Sequence, residues 1–344
     1  RAWRHLDFWQ YQTILHARMP RVKCESCGKI RTVNIDWARP GAGFSLYFEY
    51  HVMSLMLEMP VAAVARKIGE HDTRLWRVFK HYVNQAMEDM DVSNVTRIAM
   101  DETSRAKGHK YITLFIDMDT KRLIFATVGK DADVLQEFCL FLDSKGVEPT
   151  QIKEVCCDMS PSFISGIETN FPNASITFDK FHVMKMVNEA LDLVRRQEQA
   201  TQPELKKSRY LWLKNQENLT KKQASTFAKL KDLDLATGRA YRMKISLQKM
   251  WNRSIIISEM YFDEWCDWAV RSRLEPMIKV AKSLKKHKSG ILRWFKTKMT
   301  NGLLEGINSL VQAAKRKARG YRTPENFIAM AYATVNKLDL VPEP

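Results

Sequence analysis

From Ser45 onward apolar residues return every three or four positions, at Phe48, Val52, Leu55, Met56 and Met59. That is the spacing of one helix face, and Pro60 closes the run. Residues 61–68 predict a second, short helix. Gly69-Glu70-His71-Asp72 predicts a turn, and 73–87 a third helix with Leu75, Val78, Phe79 and Tyr82 inward. Near Val95 the period changes to two. Residues 95–100, 110–117 and 122–128 predict three strands, close enough in sequence to pair as an antiparallel meander. Then come a helix at 131–145, a buried strand at 152–157, a helix at 162–170 and a strand at 174–178.

Three strands, helix, strand, helix, strand matches a ribonuclease H-like layout, a mixed sheet with helices on its faces. Residues 191–300 are helical in pattern throughout and rich in Lys, Arg and Trp (Trp212, Trp251, Trp265, Trp268, Trp294), which reads as an insertion. Residues 301–318 form a last helix with Leu303, Leu304, Ile307, Leu310, Val311 and Ala314 on one side, ending at Gly320. Before Ser45, residues 37–43 read as an extended linker. The expected fold class is multidomain α+β. A zinc-ribbon remnant and linker (1–44) precede a helix-turn-helix domain (45–92). The ribonuclease H-like domain (93–190 and 301–344) is interrupted by an all-α insertion (191–300).

Composition changes the picture through charge. The 344 residues hold 55 Lys plus Arg against 39 Asp plus Glu, a formal +16, with 45% hydrophobic residues. Such a chain buries a core and carries an excess suited to a polyanion, nucleic acid ahead of anionic membrane. The excess is uneven: +3 over 1–95, −3 over 96–190, +14 over 191–300 and +2 over 301–344. No apolar run is long enough for a membrane helix, and no signal peptide opens the chain. Six scattered cysteines do not make a disulfide scaffold, so a reducing, cytoplasmic setting is expected. The chain opens on Arg1 and not on Met, and the expectation is that residues precede it.

Candidate chemistry falls in four places. Cys24 and Cys27 have the spacing of half a tetrahedral zinc site; the other reading is an inert pair. In the helix-turn-helix pattern, Thr73, Arg74, Arg77 and Lys80 would meet phosphates and base edges, unless the three helices are a plain packing module. Asp101 ends the first predicted strand and Asp158 the fourth. If those strands are neighbours, the two carboxylates approach each other, and a hard dication such as magnesium removes the cost of their repulsion. The third carboxylate is Glu305, in a polar stripe with Asn301, Asn308, Gln312, Lys315 or Arg316, and Arg319. Asp179 is either a further metal-proximal carboxylate or a helix cap, and His182 would face the same edge. The tryptophans of 191–300 read as core ahead of base-stacking platforms, and the basic block as DNA contact or as a solvated helical surface.

These residues are collinear with a known pattern. Asp36-Trp37-Ala38-Arg39-Pro40, Val64-Ala65-Arg66, Asp101-Glu102 with Lys107-Gly108-His109-Lys110-Tyr111, and Asp158-Met159-Ser160-Pro161 carry it first. Phe178-Asp179-Lys180-Phe181-His182, Asn301-Gly302 through Glu305-Gly306-Ile307-Asn308, Lys315 through Arg322, and Glu325-Asn326-Phe327 continue it. The chain resembles bacterial insertion-sequence transposases of the ISL-three family along essentially its whole length. The resemblance implies a DDE transposase with Asp101, Asp158 and Glu305 as catalytic triad, holding two Mg2+ (or Mn2+), and with Asp179 and His182 as an accessory motif. It also implies an N-terminal zinc ribbon of two CxxC pairs, of which this chain shows Cys24 and Cys27. The expected DNA-contacting residues are Arg39, Thr73, Arg74, Arg77, Lys80, Lys315, Arg316, Arg319 and Arg322. The expected partners are double-stranded terminal inverted repeats and target DNA, bound by a homodimer or larger assembly associated with the nucleoid. Two other readings share the features: a catalytically inactive DNA-binding regulator, and a related metal-dependent nuclease or resolvase.

Overall fold

The computed structural model describes residues 1–231, 233–299 and 302–341. Asn301 of the predicted polar stripe lies outside the described residues. At the N-terminus β1 (Ala2–Phe8) pairs antiparallel with β2 (Tyr11–His16), and β3 (Arg21–Lys23) with β4 (Ile30–Thr32). The expected linker is not free: the Arg4 N–H donates to the Gly43 carbonyl and the Ser45 N–H to the Arg4 carbonyl, each at 2.9 Å. Buried Trp3 meets Trp37 edge-on at 5.0 Å. The hairpin thereby docks on the helices that follow.

Those helices are α1 (Leu46–Glu58), α2 (Val61–Ile68) and α3 (Asp72–Glu88). Ser45 caps α1 by accepting the Phe48 N–H. Gly69 ends α2 in the left-handed region (φ 71°), where a side chain would be strained, and so sets the tight turn into α3.

The five-stranded sheet has the order β7-β6-β5-β8-β9, formed by β5 (Arg97–Ala106), β6 (Lys110–Asp117), β7 (Leu123–Val128), β8 (Glu154–Cys157) and β9 (Ser175–Phe178). β5, β6 and β7 are the antiparallel meander; β8 and β9 add parallel. Between them run α4 (Asp133–Ser144) and α5 (Pro161–Asn170). The period-two alternation divides two cores. Ile98, Met100, Phe115 and Cys157 face Val134, Leu135, Phe138 and Phe163 of α4 and α5. Ala99, Ile112, Leu114, Ile116 and Cys156 face the other side.

One expectation needs correcting here. β5 does not end at Met100: it continues to Ala106, because antiparallel pairing with β6 carries the polar stretch from Glu102 to Ser104. Asp101 is therefore a mid-strand residue. Its distinction is that parallel pairing with β8 stops two residues before it, at Ala99–Cys156.

A long helix, α6 (Lys180–Glu198), leads into α7 (Arg209–Leu213), α8 (Lys221–Lys231), α9 (Ala236–Met250), α10 (Ile255–Val270), α11 (Glu275–Lys286) and α12 (Lys288–Thr297). α6 crosses the expected 190/191 boundary without a break. α12, counted with the insertion in sequence, lies on edge strand β9. A Cβ at Gly290 would come within 2.5 Å of Phe178, and Arg293 makes a bidentate ion pair with Glu154 of β8. Trp212, Trp251, Trp265 and Trp294 are core residues; Trp268 is 39% exposed. Finally α13 (Gly302–Lys317) and α14 (Pro324–Asn336) cover the second sheet face with Leu304, Ile307, Val311, Phe327 and Ala331. Among the described residues no helix is long and apolar enough to cross a membrane.

Candidate active site

Two residues past the last parallel pair, Ala99 with Cys156, come Asp101 on β5 and Asp158 after β8. β5 runs on while β8 ends, and the shared register places the two carboxylates as neighbours, the Asp158 charge opposing ionisation of Asp101. Burial pushes the Asp101 carboxyl above its ordinary value and the Asp158 charge adds to that; His182, the Glu102 N–H and Asn308 act in the opposite sense. Oδ1 of Asp101 accepts the Glu102 N–H at 2.8 Å, and Oδ2 accepts from Nδ2 of Asn308 at 2.7 Å. Asp158 accepts the Ser160 N–H at 2.9 Å, which shapes the turn into α5.

Asp179 follows β9. It is fully buried and caps α6, its Oδ2 accepting the Phe181 N–H at 3.1 Å. The geometry thus gives it the capping role. It also lies 3.6 Å from Nδ1 of His182. Burial alone would lower the His182 pKa. Asp179, Asp101 and Asp158 together outweigh it and raise the value, so one imidazole senses three carboxylates.

Glu305 stands on α13, one turn before Asn308, and is exposed. Among the described residues no three of His, Cys, Asp and Glu converge closely enough to form a metal site outright. The chemistry of the donor set nevertheless suits a hard cation. Asp101 and Asp158 offer oxygens side by side in a partly desolvated place, and the Asn308 Oδ1 is a buried carbonyl oxygen without a hydrogen-bond partner. Cys24 and Cys27 lie between β3 and β4. Hydrogen bonds from Ser26 and Cys27 lower the Cys24 thiol to about 7, which suits a zinc thiolate. A structural zinc needs four ligands, and this pair could supply two of them.

The expected DNA-contacting residues divide by environment. Thr73, Arg77, Arg316, Arg319 and Arg322 are exposed. Arg39 instead forms a bidentate pair with buried Glu49 at 2.7 Å, and Arg74 pairs with Glu70 at 2.6 Å over the Phe44 ring. Lys80 lines a cleft of about 750 Å³ between the first three helices and α13–α14, together with Trp76, Lys317 and Tyr321. Across that cleft Trp76 meets Tyr321 edge-on at 6.0 Å, and Lys317 Nζ donates to the Leu57 carbonyl at 3.0 Å. Lys315 bonds to β5.

A profile described as "Transposase" matches residues 98–331, well over half the chain. A second, described as the helix-turn-helix domain of transposase family ISL3, matches 33–83. The chain belongs to the ISL3 family of insertion-sequence transposases. A third profile, the zinc-finger of transposase IS204/IS1001/IS1096/IS1165, matches residues 1–27 of this transposase. Among its relatives, the transposase for insertion sequence element IS1557 of Mycobacterium tuberculosis (strain H37Rv) is 29% identical, over 97% of this chain and 81% of its own length. That for IS1001 of Bordetella parapertussis is 27% identical, over 94% and 82%. The match from residue 98 to 331 spans β5 to α14, so the whole carboxylate constellation of this ISL3 transposase lies inside it.

Sequence reading named Asn308 and Glu102 without finding their contacts, and did not find the meeting of Lys180 and Lys298 at Trp294. Asn308 bonds directly to Asp101. Glu102 is a further half-buried carboxyl whose pKa burial raises while Lys130 opposes it; only its place beside Asp101 marks it in the sequence. Lys180 and Lys298 both bring Nζ within 5.0 Å of the Trp294 ring centre, near the capped start of α6. No local pattern announces that meeting.

Proposed function

We propose that this transposase hydrolyses the terminal inverted repeats of its element to free 3′-OH ends and joins those ends to target DNA at Asp101, Asp158 and Glu305. The observation that carries the reading is the parallel register of β5 and β8, which sets Asp101 beside Asp158, with the Glu305 helix hydrogen-bonded to Asp101 through Asn308. Two hard divalent cations held by these oxygens would activate the attacking hydroxyl and stabilise the leaving 3′ oxygen.

The remaining roles belong to the chain. Asp101, whose two oxygens are both oriented by hydrogen bonds, would hold the cations together with Asp158 and Glu305. Asp179 orients His182, whose imidazole faces the carboxylates and is drawn toward its protonated form by them. The exposed residues Thr73, Arg77, Arg316, Arg319 and Arg322 bind DNA. Two ends are brought together by a dimer or larger assembly.

The test uses a terminal-repeat duplex and a pre-cleaved 3′-OH duplex in Mg2+ or Mn2+. Asp101→Ala, Asp158→Ala and Glu305→Ala should each lower hydrolysis and strand transfer by on the order of 10³-fold or more, with end binding retained. Wild-type protein that binds ends without cutting would make it a regulator. Cutting without joining would make it a nuclease or resolvase.

A further inference from the structure

The polar stripe of α13 is engaged with the sheet. Asn308 donates to Asp101 at 2.7 Å. Gln312 Nε2 donates to Oγ1 of Thr103 at 2.7 Å and to the Ser104 carbonyl at 2.9 Å. Lys315 Nζ donates to the same Ser104 carbonyl and to Gln312 Oε1. Steps of four and three residues keep these donors in one line on the helix. Their acceptors follow one another along β5.

The two repeats agree in length. Asn308 to Lys315 covers roughly 10.5 Å of helix at ~1.5 Å per residue, and Asp101 to Ser104 covers about 10 Å of strand at ~3.3 Å per residue. A slip of one helical turn, ~5.4 Å, breaks every rung. The apolar side of α13 has no such discrimination. Leu304, Ile307 and Val311 bury against Ala99, Ile112 and Leu114, and apolar burial is non-directional. It decides that the helix lies on the sheet, not where along it. Nor is Asn308 explained by stability, because its buried, unpartnered Oδ1 is a cost to folding.

We propose that Asn308, Gln312 and Lys315 are positioning residues that lock the register of α13 on β5 and so fix where Glu305 stands relative to Asp101. This rests on the reading of Asp101 and Glu305 as cation-holding carboxylates. It assigns Lys315 to the lock and not to DNA.

The experiment is a double-mutant cycle on the full chain, read by calorimetric titration with Mn2+ alone. Gln312→Leu, which removes the rungs to Thr103 and Ser104 without touching Asp101, should weaken Mn2+ binding by about 10-fold in the wild-type background and by less than about 2-fold in the Glu305→Gln background, because the lock acts through Glu305. Equal losses in both backgrounds, or no loss, overturn the proposal. Native-state hydrogen exchange gives a readout without metal. Asn308→Leu and Gln312→Leu should speed exchange of the α13 amides and leave α14 unchanged, and Gln312→Arg, which keeps N–H donors, should restore protection. Unaltered α13 exchange overturns the lock. If Glu305→Gln by itself leaves Mn2+ affinity intact, the role of Glu305 falls, and the exchange result still decides the lock.

Discussion

Lys244 lies 99% buried, its ammonium donating to the carbonyls of Trp212, Leu213 and Lys214 at the end of α7. Burial lowers its pKa to about 8, with Glu217 pulling weakly the other way. Below pH 8 both the folded and the unfolded chain hold this proton. Between 8 and the unfolded value of about 10.4 the unfolded chain keeps it and the folded chain releases it, so this contribution to stability rises with pH through that window. It is lost as pH falls through 8. Lys244→Met should remove that rising component, which urea denaturation at a series of pH values will show as a wild-type-minus-variant difference that climbs with pH through this window. Arg39 makes a similar point. Its guanidinium fork is spent on Glu49, whose Oε2 also accepts the Tyr82 hydroxyl at 2.7 Å, so a cation counted from sequence need not be a cation offered to DNA.

At the scale of elements, both edges of the catalytic sheet are covered, which removes the templates on which other chains could pair. α12 covers β9. On the other edge Asn336 accepts the Leu123 N–H and donates to the Leu123 carbonyl, both at 2.9 Å, and the Tyr332 hydroxyl accepts the Ala126 N–H. Asn336→Ala should cost about 1–3 kcal/mol by stranding that backbone pair, measured as a lowered denaturation midpoint. The strands and helices of this sheet were legible because each carries an unambiguous period over its own length. β5 past Met100 was not: Glu102 to Arg105 look like the start of a loop, and only β6, arriving from the far side of a turn, makes them strand. The seat of α12 on β9 was hidden for the same reason, since the need for Gly290 comes from Phe178, over a hundred residues earlier. In the site, Asp101 and Asp158 were readable as ends of apolar runs. The bond from Asn308 to Asp101 joins residues 207 apart, and no periodicity encodes it.

Across the whole molecule, the +14 of residues 191–300 overstates the charge offered outward. Pairs inside the block, such as Arg195 with buried Asp192 and Lys288 with Asp263 and Glu259, are already netted in that value; Arg293, paired with Glu154 outside the block, and Lys244, buried against carbonyls, reduce it further. Lys282 and Lys286 on α11 remain exposed. If they meet phosphates, the double variant Lys282→Ala/Lys286→Ala should reduce the slope of log affinity against log salt by about 1.8, whereas Lys244→Met leaves it unchanged. Fluorescence anisotropy titrations of terminal-repeat DNA at several salt concentrations separate the two. The closing of the second sheet face by α13 and α14 has a consequence in time. A ribosome adds about 5–20 residues per second, so on the order of ten seconds separate the emergence of Asp158 from that of Glu305. Through that interval Ala99, Leu114 and Ile116 have no cover, and the nascent chain holds two carboxylates of three. On the proposed reading, cutting chemistry is therefore withheld until α13 has emerged, and a message truncated before α13 yields no cutting fragment.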